Sequence, residues 1–77
     1  MTRAQADALA DQMFREYLQD FSAPRSRFAA AKVVQVQGDG WSYLWFCRDN
    51  PESAVGVFVQ FDGEADYAEA PDCVSKS

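Results

Sequence analysis

The 77 residues, 48% hydrophobic and 25% charged, are enough for one small domain and exclude a wholly disordered or low-complexity chain. With 12 acidic against 7 basic side chains, the net charge of −5 sets up a field that repels phosphate backbones and anionic lipid headgroups, so no direct contact with nucleic acid is expected. There is no histidine, which removes the commonest general base and metal ligand.

From Arg3 to Phe21 the apolar residues Ala6, Leu9, Ala10, Met13, Phe14, Tyr17 and Phe21 recur at spacings of three and four, which predicts an amphipathic α-helix. Thr2 with Gln5 three residues later is a capping-box pattern, Asp7 suits the positive end of the helix dipole, and Pro24 marks the stop. Ser22 to Ala31 then reads as a connection, with one helical turn near Phe28 and the Phe28 ring docked on the core. Arg25 and Arg27 on this connection are either solvated or placed to touch a partner's acid.

After Lys32 the period becomes strand-like. Val33–Gln37, Trp41–Arg48 and Ala54–Phe61 are rich in β-branched and aromatic residues and are separated by Gly38-Asp39-Gly40 and by Asp49 to Ser53. Asp62-Gly63 is a hairpin signal, after which Glu64–Ala68 can return as a fourth, edge strand. The expected architecture is α+β: an N-terminal helix packed on a three- or four-stranded antiparallel meander, with residues 1–69 as a single domain and 70–77 as a loose tail.

Both alternating sets of the second strand are apolar: Trp41, Tyr43, Trp45 and Cys47 on one side, Leu44 and Phe46 with Ser42 on the other. A single helix covers one side only, and the turn decides which. A three-residue loop with Gly40 in the left-handed region puts Val34 and Val36 with Leu44 and Phe46, whereas a two-residue Asp39-Gly40 turn puts them with Tyr43 and Trp45. The first register is favoured because it gathers Val34, Val36, Leu44, Phe46, Val55, Val57, Val59 and Phe61 into an aliphatic and Phe core. Gln35, Gln37, Trp41, Tyr43, Trp45 and Phe58 then face outward, a surface suited to a partner or to a homodimer. In the alternative arrangement the same aromatics are core beneath the helix.

The acid is concentrated late in the chain: residues 1–48 hold six basic and five acidic side chains, whereas 49–77 hold seven acidic ones and Lys76. Asp62, Glu64 and Asp66 stand two residues apart, so an extended segment projects them from one face about 6.8 Å apart. With Asp49, Glu52, Glu69 and Asp72 they form a surface complementary to a basic groove, and such binding weakens with salt. The competing explanation is that charge on turns and edge strands keeps the chain soluble and blocks edge-to-edge pairing. A Ca²⁺ loop is disfavoured because Asp62-Gly63-Glu64-Ala65-Asp66 lacks the ligand spacing of an EF-hand. No metal or cofactor is expected.

Catalysis is not expected either, since neither Cys47 nor Cys73 has a histidine to generate thiolate and Gly38-Asp39-Gly40 opens no helix that would cradle phosphate. Cys47 and Cys73 can form at most one disulfide, and the segment MTRAQADALA has no apolar run of signal-peptide length, so two free thiols in a reducing cytoplasm are the expectation. No run of residues is apolar for long enough to span a membrane.

A small, acidic α+β domain with the acidic series Asp49, Glu52, Asp62, Glu64, Asp66, Glu69 and Asp72, and with Trp41-Ser42-Tyr43-Leu44-Trp45 as a hydrophobic anchor, resembles the phage-encoded anti-CRISPR proteins that inhibit type I effector complexes. The resemblance is one of size, charge and architecture. It implies a stoichiometric, cofactor-free inhibitor that occupies a basic nucleic-acid-binding surface of a Cascade subunit. Two other readings fit the residues: a homodimeric structural or accessory protein closed by the aromatic face Trp41, Tyr43 and Trp45, and an immunity protein that neutralises a nuclease toxin.

Overall fold

The computed structural model describes residues 1–74, so positions 75–77 of the expected tail lie outside the described residues. Helix α1 runs Arg3–Asp20 and is followed by a 3₁₀ turn at Arg25–Arg27 and by strands β1 (Val33–Gln37), β2 (Gly40–Phe46), β3 (Ala54–Gln60) and β4 (Ala65–Glu69). The strands form one antiparallel sheet in the order β1-β2-β3-β4, the expected α+β meander with its fourth strand.

The start of α1 is the predicted capping box: the Thr2 side chain accepts from the Gln5 N–H and the Gln5 side chain accepts from the Thr2 N–H. Its end is a Schellman closure, in which Ala23 N–H reaches Leu18 C=O and Ser22 N–H reaches Gln19 C=O. Ser22 takes the left-handed conformation, φ 52°, that this closure demands and that glycine usually supplies. The buried stripe is Ala6, Ala10, Phe14 and Tyr17.

The β1–β2 turn overturns the favoured register. Gln37 pairs with Gly40, so the loop is the two residues Gly38-Asp39, with Gly38 at φ 58° in the first central position, where a type II′ hairpin wants glycine. Val34 then opposes Tyr43 and Val36 opposes Trp41, which places both valines on the aromatic side of β2. That side is the one the helix covers. Tyr43 and Trp45 are 0% and 2% exposed, and their partners across β3, Val57 and Val55, are fully buried. The expected outward aromatic face is therefore core, and Leu44 and Phe46, expected inside, stand half-buried on the opposite side with no helix over them. Small side chains explain the choice: Ala6 and Ala10 let α1 approach the sheet closely and leave room beneath for the large rings. Phe14 stacks on Trp45 with centroids 4.3 Å apart, and Phe28 meets Phe14 edge-on at 5.3 Å.

Two further expectations are corrected. Cys47 and Cys73 are not free thiols but a disulfide closing a separation of 26 residues. Nor is 70–74 loose: Pro71 and Val74 are buried, Asp72 N–H donates to Ser53 Oγ at 2.6 Å, and Arg27 donates to the Cys73 carbonyl at 2.7 Å. The arginines of the connection are staples of the same kind. Arg25 lies over the Phe14 ring and donates to the carbonyls of Phe28, Ala29 and Ala30, while Arg48 donates to that of Phe28.

Candidate protein-binding face

Two tyrosine hydroxyls tie the covered side of the sheet to the helix: Tyr67 donates to the Met13 carbonyl at 2.7 Å, and Tyr43 reaches a charged pair. The Tyr43 hydroxyl donates to Asp7 at 2.6 Å, and the Arg3 guanidinium donates to the same carboxylate oxygen at 2.7 Å. Desolvation pushes Asp7 up, but the hydrogen bonds from Tyr43 and Arg3 together outweigh it and hold the carboxyl below its ordinary range. Burial first, and the bond to Asp7 second, push the Tyr43 phenol up, so it stays neutral and acts as a donor. This is an anchor between helix and sheet.

The uncovered side carries the candidate site. Its middle is Leu44, Phe46 and Phe58, all half-buried, with Ala54 and Gly56 beside them. The strands hold these groups close because two glycines stand where a side chain would collide. A Cβ on Gly40 would lie 2.3 Å from the Val59 carbonyl and 2.8 Å from the Phe58 ring, and one on Gly56 would lie 3.1 Å from Cβ of Glu69. A shallow concavity of about 810 Å³ results, lined among others by Gln35, Ser42, Leu44, Phe58, Asp39 and Glu69.

The charge around it has one sign. Asp39 and Glu69 line the concavity, Asp66 on β4 opposes Phe58 on β3, and none of its lining residues is Lys or Arg. Three of the six described basic side chains, Arg15, Arg25 and Lys32, line with Asp11 a separate crevice of about 570 Å³ against α1. Lys32 is held there by Asp11 at 2.8 Å.

The acidic residues read from the sequence do not form one straight row. Asp62 lies in the β3–β4 turn, where its side chain accepts from the Glu64 N–H, and Glu64 precedes β4, so the even spacing of Asp62, Glu64 and Asp66 is broken. Asp66 and Glu69 face the open side, separated by a register shift at Gly56/Val57. Asp49 and Glu52 are exposed in the β2–β3 loop, and Asp72 follows β4 at the same end of the sheet. The three aromatics are not an exposed anchor: Tyr43 and Trp45 are core, and Trp41 is half-buried edge-on against Phe61 at 4.7 Å. What the sequence reading missed is that Leu44, Phe46 and Asp39 belong to the open face. The signal was the apolar run on both sides of β2, which guarantees that one apolar set stays uncovered.

No helix among the described residues is long and apolar enough to cross a membrane. Comparison with family models, with curated proteins and with solved structures finds no match to this chain.

Proposed function

We propose that this chain is a non-enzymatic, protein-binding inhibitor of the anti-CRISPR kind, whose acidic surface blocks a basic nucleic-acid-binding site on a type I CRISPR effector subunit. The observation that carries the reading is the open sheet face. An apolar centre of Leu44, Phe46 and Phe58 next to Asp39, Asp66 and Glu69, with no cation in its concavity, suits a protein surface studded with Lys and Arg around an apolar patch. The binding residues are then Asp66 and Glu69 on the edge strand β4 beside the apolar centre, with Asp62 and Glu64 at one end of the sheet and Asp49, Glu52 and Asp72 at the other. No cofactor enters the mechanism, and the chain acts stoichiometrically by occupying the site.

Such an inhibitor works in the cytoplasm of a bacterial host. There the Cys47–Cys73 disulfide meets a reducing glutathione pool, and the fold must hold through its sheet and helix when the bond opens. The deciding experiment is co-purification of the tagged chain with a type I effector complex at low and at high salt, alongside an Asp66→Lys/Glu69→Lys variant. Capture that is lost in high salt and in the variant supports the reading. A variant that binds as tightly as the parent removes the acidic-face mechanism, and capture of a nuclease toxin in place of an effector moves the assignment to the immunity class.

A further inference from the structure

The two edges of the sheet are built differently. Strand β4 carries Asp66 and Glu69 and a register shift against β3, features that keep an edge from pairing with another chain. Strand β1 has none of them. Its sequence, Val-Val-Gln-Val-Gln, holds no charge and no proline, its pairing with β2 is regular, and Val33 and Val36 are 40% and 70% exposed. Gln37 and Gly40 flank a two-residue turn and so form a hydrogen-bonded pair. By alternation Gln37, Gln35 and Val33 direct their N–H and C=O groups to β2, while Val34 and Val36 present theirs outward.

We propose that β1 is the pairing edge of a homodimer, in which a second copy lays its own β1 antiparallel across a two-fold axis at Gln35 and joins two four-stranded sheets into one. In that register Val34 of each copy opposes Val36 of the other as a hydrogen-bonded pair, and Gln35 meets its own counterpart in the non-hydrogen-bonded position. Val34 and Val36 share the helix side of the sheet, so the most exposed apolar side chain of the strand is covered by the partner's valine.

Charge favours a second copy here in spite of the net −5. The acidic β4 strands end up at the far edges, seven strand spacings or about 34 Å apart, several Debye lengths at physiological salt. The antiparallel alignment also brings the Lys32 end of each β1, where Lys32 is paired with Asp11 of its own chain, toward the Asp39 turn of the other, so that two uncompensated carboxylates do not meet there. Pairing through the open faces would instead set Asp39, Asp66 and Glu69 of the two copies against one another. The dimer leaves that face free and doubles it, so this inference does not depend on the inhibitor reading.

Sedimentation equilibrium of the full, oxidised chain from micromolar to millimolar concentration tests it. The expected result is a reversible dimer whose dissociation constant rises at least tenfold in Val36→Pro, because that change removes an outward N–H and no bond to β2. Circular dichroism and the thermal midpoint report whether the variant keeps its fold. Gln35→Cys supplies an independent arm: residues facing each other on the axis have Cα atoms about 4.5 Å apart, within disulfide reach, so mild oxidation yields a covalent dimer. Gln37→Cys, which opposes Val33 of the partner, does not. A chain that stays monomeric at every concentration overturns the proposal. So does a dimer that survives in folded Val36→Pro, or one that Gln35→Cys fails to cross-link; pairing of β1 with a foreign strand alone would appear as the first of these.

Discussion

Leu44 and Trp45 are neighbours on β2 with opposite surroundings. Trp45 is 2% exposed, stacked on Phe14 beneath the helix, and Leu44 is half-buried on a face that no described element covers. The difference shows that apolar character alone does not assign a strand residue to the core. The helix can cover one side of the sheet, and its alanines select the side with the largest rings. The other apolar set is left as surface, bounded by carboxylates.

The largest expected effect breaks this comparison directly. Trp45→Ala removes the centre of the core and should cost about 3–5 kcal/mol, much of the stability of a domain this size, whereas Leu44→Ala should cost about 1 kcal/mol. Urea titrations of the two variants measure the contrast, and equal losses would mean that the open face is covered in solution. Trp45→Ala is consequently no probe of an interface, since its primary effect is on folding.

Next is the disulfide, which ties Cys47 at the edge of the covered face to the segment after β4. By chain entropy, closing a loop of 26 residues is worth about 3.5 kcal/mol at 25 °C. Reduction, or a Cys47→Ala/Cys73→Ala pair, should lower the thermal midpoint by on the order of 10 °C or more and should free residues 70–74 for proteolysis ahead of the sheet. An unchanged midpoint in reductant would show that the Arg27 and Ser53 hydrogen bonds hold the segment unaided.

A smaller effect isolates the polar margin of the covered face. Asp7 is held below its ordinary pKa in the fold, so its contribution is complete above the unfolded value of 3.8 and is lost as pH falls below it. Asp7→Ala, which leaves the Tyr43 hydroxyl without its acceptor, should lose on the order of 1 kcal/mol at pH 7, and the gap to the parent should close toward pH 3. A gap independent of pH would mean that the lost packing matters and the carboxylate does not. At the other extreme, the raised Tyr43 pKa makes the fold lose stability as pH climbs above about 10, where the unfolded phenol ionises and the buried one does not.

Much of the fold was legible because it rests on local chemistry. The Thr2–Gln5 box, the three-four spacing of α1 and the turn residues at Asp62-Gly63 place helix and strands within two residues of where they are, β2 ending at Phe46 and not Arg48 and β4 beginning at Ala65 and not Glu64. The register of β1 on β2 was not legible, since Gly38 and Gly40 each offer a left-handed position and a shift of one residue exchanges the two faces. Gly40 was read as the turn glycine, but its requirement is spatial: Phe58 and the Val59 carbonyl lie where its side chain would be. The candidate site inherits that ambiguity. Its acidic members could be named from composition, while its apolar centre could be known only once the covered side was settled. The disulfide was equally hidden, because Cys47 and Cys73 are brought together by the β3–β4 hairpin and by the Arg27 and Ser53 hydrogen bonds beside them, contacts between residues far apart in sequence.

The smallest expected change bears on the open face itself. Asp66 is exposed and opposes Phe58, and no hydrogen bond or ion pair of its side chain holds the fold together among the described residues. Asp66→Lys should therefore leave stability within about 0.5 kcal/mol of the parent, while reversing the charge beside the apolar centre. The two readouts separate folding from recognition. A loss of partner capture at unchanged stability assigns the residue to binding, whereas a destabilisation approaching that of Leu44→Ala would mean that Asp66 guards the β4 edge against misassociation and that its acid serves the fold.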